Sequence, residues 1–565
     1  MSIKRKISAF GWAGALALGI CGAQAASNDT LGASGSATRS SSIRLPNGVS
    51  QPMYKNALPL SPPEKPVAIP VRIPEGRARL EQLKKSPDGG ALASATGAPE
   101  SANGPIIKAV GAAKTGPSIQ TTVNWCGNVG AAGGFAPSDS HGAVGRANFI
   151  TVKNVTVGVY RIAGCAVVAA EQSLKTFFAP VGVPSTATLF DPRVIYDKWT
   201  DRFFLTAESS DSNTDQYQYF AVSKDGTGTS WWLYRITLSQ GASVFCKQAA
   251  NSFWDYPNVG SARGNNPAAA SGRGRWFITA NDFGTTTTGA ILSIDKAATL
   301  TGGSPTVKCF SGLAFNLAPP IVISPSWGSQ FLSPGSGGGS TIARLNLWAS
   351  DTGAGADFLS SIANVAIPAW SAPPNAAQPN GTTLDSLDGR FQSASIQARD
   401  MIWNVHSIGL SGFSKIRMYR MSTDPAITAP LTVFTPTTAA NEHLFNPSVA
   451  TAAGAVNAPA FITMTRTIPS SATTGRATML MLAGLNASTL SEDWQLHYIS
   501  QSSTQFVGCS PCRWGDYSAT QVDPWDSGKG WGFNQLVTGT TEFNWVMRAA
   551  GVTLNLGYKP VASGE

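Results

Sequence analysis

A chain of 565 residues with 42% hydrophobic but only 13% charged residues, 58 Gly, 36 Pro and 16 Trp has the make-up of many short strands joined by tight turns. That composition argues against long helices. The formal net charge is +9, with basic residues scattered rather than gathered in a stripe, which argues against nucleic acid as a partner.

At the N-terminus, Lys4, Arg5 and Lys6 precede an apolar stretch over 9–20 and then Ala23-Gln24-Ala25, so 1–25 is expected to be a cleaved secretory signal. Its removal takes three positive charges from +9 and leaves +6. The apolar stretch is shorter than the ~20 residues that cross a bilayer, and no longer one follows, so no membrane span is expected. Residues 26–117 are rich in Ser, Ala, Gly and Pro with few aromatics, and bury too little apolar surface to offset chain entropy. This segment is expected to be a mostly disordered leader, with one short helix over 74–85.

From 118 to 565 the chain repeats one pattern: an opener of polar and aromatic residues, a strand-like run, a polar loop and an aromatic-rich strand. The openers lie at 139–144, 190–194, 254–259, 324–328, 389–394, 445–449 and 513–518. The strand-like runs follow at 149–152, 202–206, 275–279, 342–348, 401–405, 460–464 and 530–536, each bounded by turn formers. A unit that cannot bury its own faces stacks on copies of itself, so the expectation is all-β: a seven-bladed β-propeller over 118–565. The last copy has about three strands, and 119–125 is expected to supply the missing one and close the ring.

After Cys21 six cysteines remain: Cys126, Cys165, Cys246, Cys309, Cys509 and Cys512, an even number suited to an oxidising compartment. Pairing of neighbours (126 with 165, 246 with 309, 509 with 512) keeps each bridge local, although spacing alone leaves the connectivity open. Cys509-Ser510-Pro511-Cys512 is expected to pin the loop behind it rather than to exchange disulfides.

If the openers occupy equivalent places, their polar members converge on one face. Asp139, His141, Asp191, Arg193, Arg390, Asn446 and Arg513 are the candidate ligand-binding residues; Asp255, Tyr256, Asp516 and Tyr517 are the candidates for acid–base work. The competing reading is that these residues pair with one another and stitch the blades together. His141, His406, His443 and His497 show no metal-ligand spacing, so zinc is not expected. Asp211, Asn213 and Asp215 alternate as calcium loops do, but lack the Gly and distal Glu of an EF-hand; they are the sole cation candidate, and no other cofactor is expected. Nucleophile-elbow, phosphate-loop and dinucleotide motifs are absent.

The openers Asp191-Pro192-Arg193-Val194-Ile195-Tyr196-Asp197, Asp255-Tyr256-Pro257 and Arg513-Trp514-Gly515-Asp516-Tyr517-Ser518 resemble a group of exported bacterial β-propeller proteins, most of unknown function. Ser223-Lys224-Asp225-Gly226-Thr227-Gly228-Thr229-Ser230-Trp231 is similar to the Asp-box hairpin of sialidases, with one extra residue between Asp and Gly. In those families the Asp box is a turn device away from the active site, so the resemblance implies the fold and not hydrolysis. The expectation is a monomer, secreted or periplasmic, that binds an extracellular polysaccharide or surface glycan on the opener face. A glycoside hydrolase or polysaccharide lyase on the same face, and a protein-binding surface module, are the alternatives.

Overall fold

In the computed structural model the chain is all-β, and its two described helices, Leu174–Phe178 and Lys296–Leu300, have five residues each. The described residues are 38–53, 67–68, 106–107, 120–129 and 133–555, without 213–214, 264–273, 325–327, 350–356, 437, 439–440, 453–456 and 488–492. The expected export signal, the helix expected over 74–85, Asn213 and the side chain of Asp211 lie outside them.

The strands pair as antiparallel meanders in chain order. Sheet A holds His141–Val144, Asn148–Lys153, Thr156–Arg161 and Val167–Ser173. Sheet B holds Thr188–Asp197, Arg202–Ser212, Asp215–Ser223 and Ser230–Gln240. Sheet C holds Phe253–Ala262, Arg275–Phe283, Thr287–Asp295 and Thr306–Leu313. Sheet D holds Ser329–Ser333, Gly338–Trp348 and Phe358–Ser371, led in by Pro320–Val322. Sheet E holds Ser395–Ala398, Met401–Leu410, Phe413–Ser422 and Thr432–Pro436. Sheet F holds His443–Thr451, Pro459–Thr467, Thr478–Leu485 and Trp494–Gln501. Sheet G holds Ala519–Asp523, Asp526–Val537 and Trp545–Asn555.

The fourth strand of sheet G is Gln120–Val129, antiparallel to Trp545–Asn555 from Gln120 opposite Asn555 to Val129 opposite Met547. The N-terminal strand therefore completes the last sheet. The first strand of each sheet lies against that of the next, and Ala519–Asp523 of G lies against His141–Val144 of A, so the sheets form a closed ring, a β-propeller. Around sheets C, D and E these inner strands approach closely enough to bond in parallel, Ser261 to Ile321 and Pro320–Val322 to Ser395–Gln397. Gly260 is required at that approach, since a Cβ there would sit 2.3 Å from the carbonyl oxygen of Pro320. Sheet D thus starts at Pro320, ahead of the expected opener at 324–328.

Aromatic faces fill the wedges between sheets. Phe204 of B stacks on Trp276 of C with centroids 4.8 Å apart, and Phe434 of E stacks on Trp494 of F at 4.7 Å. Burying each such ring stabilises the fold by about 1.5–3 kcal/mol. Two disulfides reinforce the ring from outside: Cys126–Cys165 joins sheet G to sheet A across the closure, and Cys246–Cys309 joins the segment after sheet B to the outer strand of C. Cys509–Cys512 pins the loop before Arg513. The bridges follow the neighbour pattern.

Four described strands come from the expected leader; two are two-residue pairs, Val67–Ala68 with Phe135–Ala136 and Ile106–Ile107 with Thr435–Pro436, and the other two are longer. Arg39–Arg44 pairs with Thr306–Leu313 on the edge of sheet C, and Val49–Pro52 pairs with Ser230–Gln240 on the edge of sheet B. Disorder was the wrong expectation for these residues, because adding a strand to an open edge needs main-chain groups and not an apolar pattern. Among the described residues no helix is long and apolar enough to cross a membrane.

Candidate functional site

Three openers share one local device. Asp191, Tyr256 and Asn446 sit at φ +48°, +60° and +53°, each followed by Pro, and each falls where strand register slips, between Phe190 and Arg193, Asp255 and Asn258, and Phe445 and Ser448. This bulge turns side chains out of the ladder toward the ring axis. Asp139, two residues before the first strand of sheet A, also has a positive φ of +42°, without a bulge. Asp and Asn tolerate the left-handed region, whereas Tyr256 is strained there and must be held by its surroundings.

Those surroundings are a buried layer of cation and phenol. The Arg193 guanidinium lies 3.2 Å from the centroid of the Tyr517 ring and 5.5 Å from that of Tyr256. It donates from Nε to the carbonyl of Pro257 at 2.9 Å and from Nη1 to that of Gln392 at 2.9 Å, tying sheet B to C and to the segment entering E. The Tyr256 hydroxyl donates to the carbonyl of Asp516 at 3.1 Å and the Tyr517 hydroxyl to that of Pro192 at 3.0 Å. Both phenols are buried and committed to carbonyls, and burial raises both pKa values, so neither is placed to act as an acid or base. Arg390 is likewise held by Asp388, at 2.7 and 3.0 Å, with its guanidinium 4.2 Å from the Tyr256 ring. His141 accepts from the amide of Val194 through Nδ1 at 3.4 Å and packs edge-on to Tyr517. Burial and the Arg193 charge hold it well below its usual range, so it is a neutral packing residue.

Carboxyl groups gather beside this layer. Asp139, fully buried, accepts from Asn154 Nδ2 at 2.5 Å and from the Asp516 amide at 2.8 Å; burial, then the Asp516 charge, push it up to about 7. Asp191 is pushed well up by burial and by the charges of Asp139 and Asp255. Glu208, on the second strand of sheet B opposite Phe190, is pushed well up by burial and then by Asp255 and Asp191. Asp255 is raised by burial, although its side chain keeps partial exposure. Arg513 and Asp516 pair at 3.3 Å and are also partly exposed. Asn446 joins the group through its carbonyl, which accepts from Ser518 Oγ at 2.9 Å.

The candidates therefore separate into a buried floor of Asp139, His141, Asp191, Arg193, Tyr256, Tyr517 and Asn446 and a partly exposed rim of Asp255, Arg513 and Asp516. Sequence reasoning missed Glu208, Asp388, Gln392 and Asn154. Glu208 had a signal, a carboxylate inside the otherwise buried run Phe203-Phe204-Leu205-Thr206-Ala207. The separate cleft lined by Gln248, Asn251, Phe283 and Thr285 contains none of these carboxylates and lacks acid–base groups of its own apart from Arg39. The Asp-box segment forms the turn between Asp215–Ser223 and Ser230–Gln240, at the opposite end of sheet B from Asp191, where Asp225 accepts from the Thr227 amide and Trp231 Nε1 donates to Gly228.

No family model and no curated protein matches this chain. Among solved structures, an exo-β-1,3-galactanase from Clostridium thermocellum aligns with a TM-score of 0.31 at 11% identity, over 67% of this chain and 65% of that one. A Hadza microbial sialidase aligns at 0.33 and 11%, over 74% and 65%. The WD40 domain of SCAP from fission yeast aligns at 0.31 and 10%, over 77% and 87%. Likenesses this distant carry no argument about what the chain binds.

Proposed function

We propose that the chain is an exported, monomeric, seven-bladed propeller whose opener face binds an extracellular polysaccharide or surface glycan. The observation that supports this is the partly exposed rim of Arg513, Asp516 and Asp255 over a buried, hydrogen-bonded floor, the first two side chains being 16% and 14% exposed. A guanidinium beside carboxylates offers donors and acceptors in the fixed pairs that vicinal sugar hydroxyls match. The floor holds the rim in place through the Tyr256 and Gln392 bonds to the Asp516 carbonyl. The three disulfides suit an oxidising compartment.

Hydrolysis is the second reading, favoured by the Asp139 carboxyl, which burial and the Asp516 charge push up to about 7, so that a fraction keeps its proton at neutral pH as a general acid must. Its full burial under Asn154 and the Asp516 amide weighs against contact with a sugar. The test is mass spectrometry of a polysaccharide panel incubated with the purified chain. The binding reading expects glycans retained with unchanged mass; new fragments would replace it with hydrolysis or elimination.

A further inference from the structure

Asp191 and Glu208 of sheet B and Asp255 of sheet C bring one carboxylate oxygen each to within 4.8 Å of the other two. Glu208 is only 1% exposed, yet neither of its oxygens meets an N–H or hydroxyl donor among the described residues, although both are shielded from solvent. A buried carboxylate normally collects such donors, and leaving one without them is costly. The charges of Arg193 and Arg390 favour the ionised forms of Glu208 and Asp255, but they compensate only in part: Arg193 Nε and Nη1 donate to the carbonyls of Pro257 and Gln392, its Nη2 meets no acceptor among the described residues, and Arg390 is paired with Asp388. Ionised carboxylates this close repel one another, so three together call for a counter-charge or for shared protons.

We propose that Asp191, Glu208 and Asp255 bind a hard divalent cation of the calcium type beside the ring axis. All three donors are oxygens, the set that calcium takes at about 2.3–2.6 Å, and a cation at that distance from each spans oxygens up to about 5 Å apart. The partial exposure of Asp255 gives the ion a route from solvent. The ion would link sheets B and C and would share Asp255 with the proposed glycan rim, so that calcium binding, read without any glycan, can fail or succeed independently of that reading; the Asp211, Asn213 and Asp215 loop is a different place in sheet B.

The test strips the purified chain with EDTA and titrates CaCl2 by calorimetry, with melting followed in parallel. The expected result is one equivalent of calcium per chain and a melting temperature raised by about 3 °C at a calcium concentration of about 100 times Kd. Glu208→Gln and Asp255→Asn should each weaken binding by at least about tenfold, the second variant guarding against a folding defect in the first. Absence of calcium binding by the wild-type chain up to millimolar concentration would overturn the proposal. So would binding that both variants leave unchanged, since the ion would then sit elsewhere. A stripped Glu208→Gln chain that melts higher than wild type, with no calcium response in either, would assign shared protons as the counter-charge instead.

Discussion

Replacing Arg193 with Met removes the guanidinium at the centre of the floor while keeping most of its stem. The guanidinium makes two hydrogen bonds to buried carbonyls and lies 3.2 Å from the Tyr517 ring centroid. Hydrogen bonds from a charged donor contribute about 1.5–3 kcal/mol each, and a desolvated cation–π contact about 2 kcal/mol. Relief of the cost of burying the charge offsets part of that, leaving a net loss of about 5 kcal/mol. A folded body of roughly 440 residues unfolds with an entropy of about 0.9 kcal/mol per degree, so melting should fall by about 5–6 °C. Differential scanning calorimetry at fixed pH and calcium reads this directly. A shift below about 1 °C, with cooperativity preserved, would refute the idea that this cation ties sheets B, C and E at the axis.

Three further outcomes follow from the same contacts. The folded Asp139 carboxyl is raised from 3.8 to about 7, so the fold binds its proton more tightly than the unfolded chain does. Stability should therefore fall as pH rises from about 4 to about 7, by up to about 4 kcal/mol from this group. Asp139→Asn should flatten that slope in pH-dependent melting, and an unchanged slope would remove Asp139 from the account. Opening Cys126–Cys165, which closes a loop of 39 residues across the seam between sheets G and A, should cost about 4 kcal/mol on the chain-entropy account; a Cys126→Ala, Cys165→Ala chain that melts with wild type would contradict it. Deleting 39–52 uncovers the edges of sheets B and C. Concentration-dependent association should then appear by sedimentation, and a monodisperse truncated chain would show that the edges are protected by other means.

Much of the ring was legible because a repeat writes the same requirement several times. The strand completing sheet G was visible at 119–125 from alternation and from the shortage of strands in the last copy, and Gln120–Val129 takes that place. The openers were visible because Asp-Pro, Tyr-Pro and Asn-Pro mark the same bulge. Glu208 stood out only as a carboxylate at the end of an apolar run, and its place beside Asp191 and Asp255 was not legible, since it depends on how sheets B and C pack. Sequence could also not separate floor from rim. Tyr256 and Tyr517 read as candidate acids or bases until their hydroxyls are seen donating to carbonyls. The strands at 39–44 and 49–52 were hidden because edge pairing is a main-chain affair that Ser-rich sequence neither favours nor forbids.

Glycan recognition by the rim depends on Arg513. Calorimetric titration of a retained polysaccharide into the wild-type chain and into Arg513→Gln tests it most directly, because Arg513 is partly exposed and pairs with Asp516 at 3.3 Å. The wild-type chain should bind and the variant should lose at least about tenfold in affinity, with melting within about 2 °C of wild type. Equal affinity in the two proteins would place the glycan off the opener face and contradict the account.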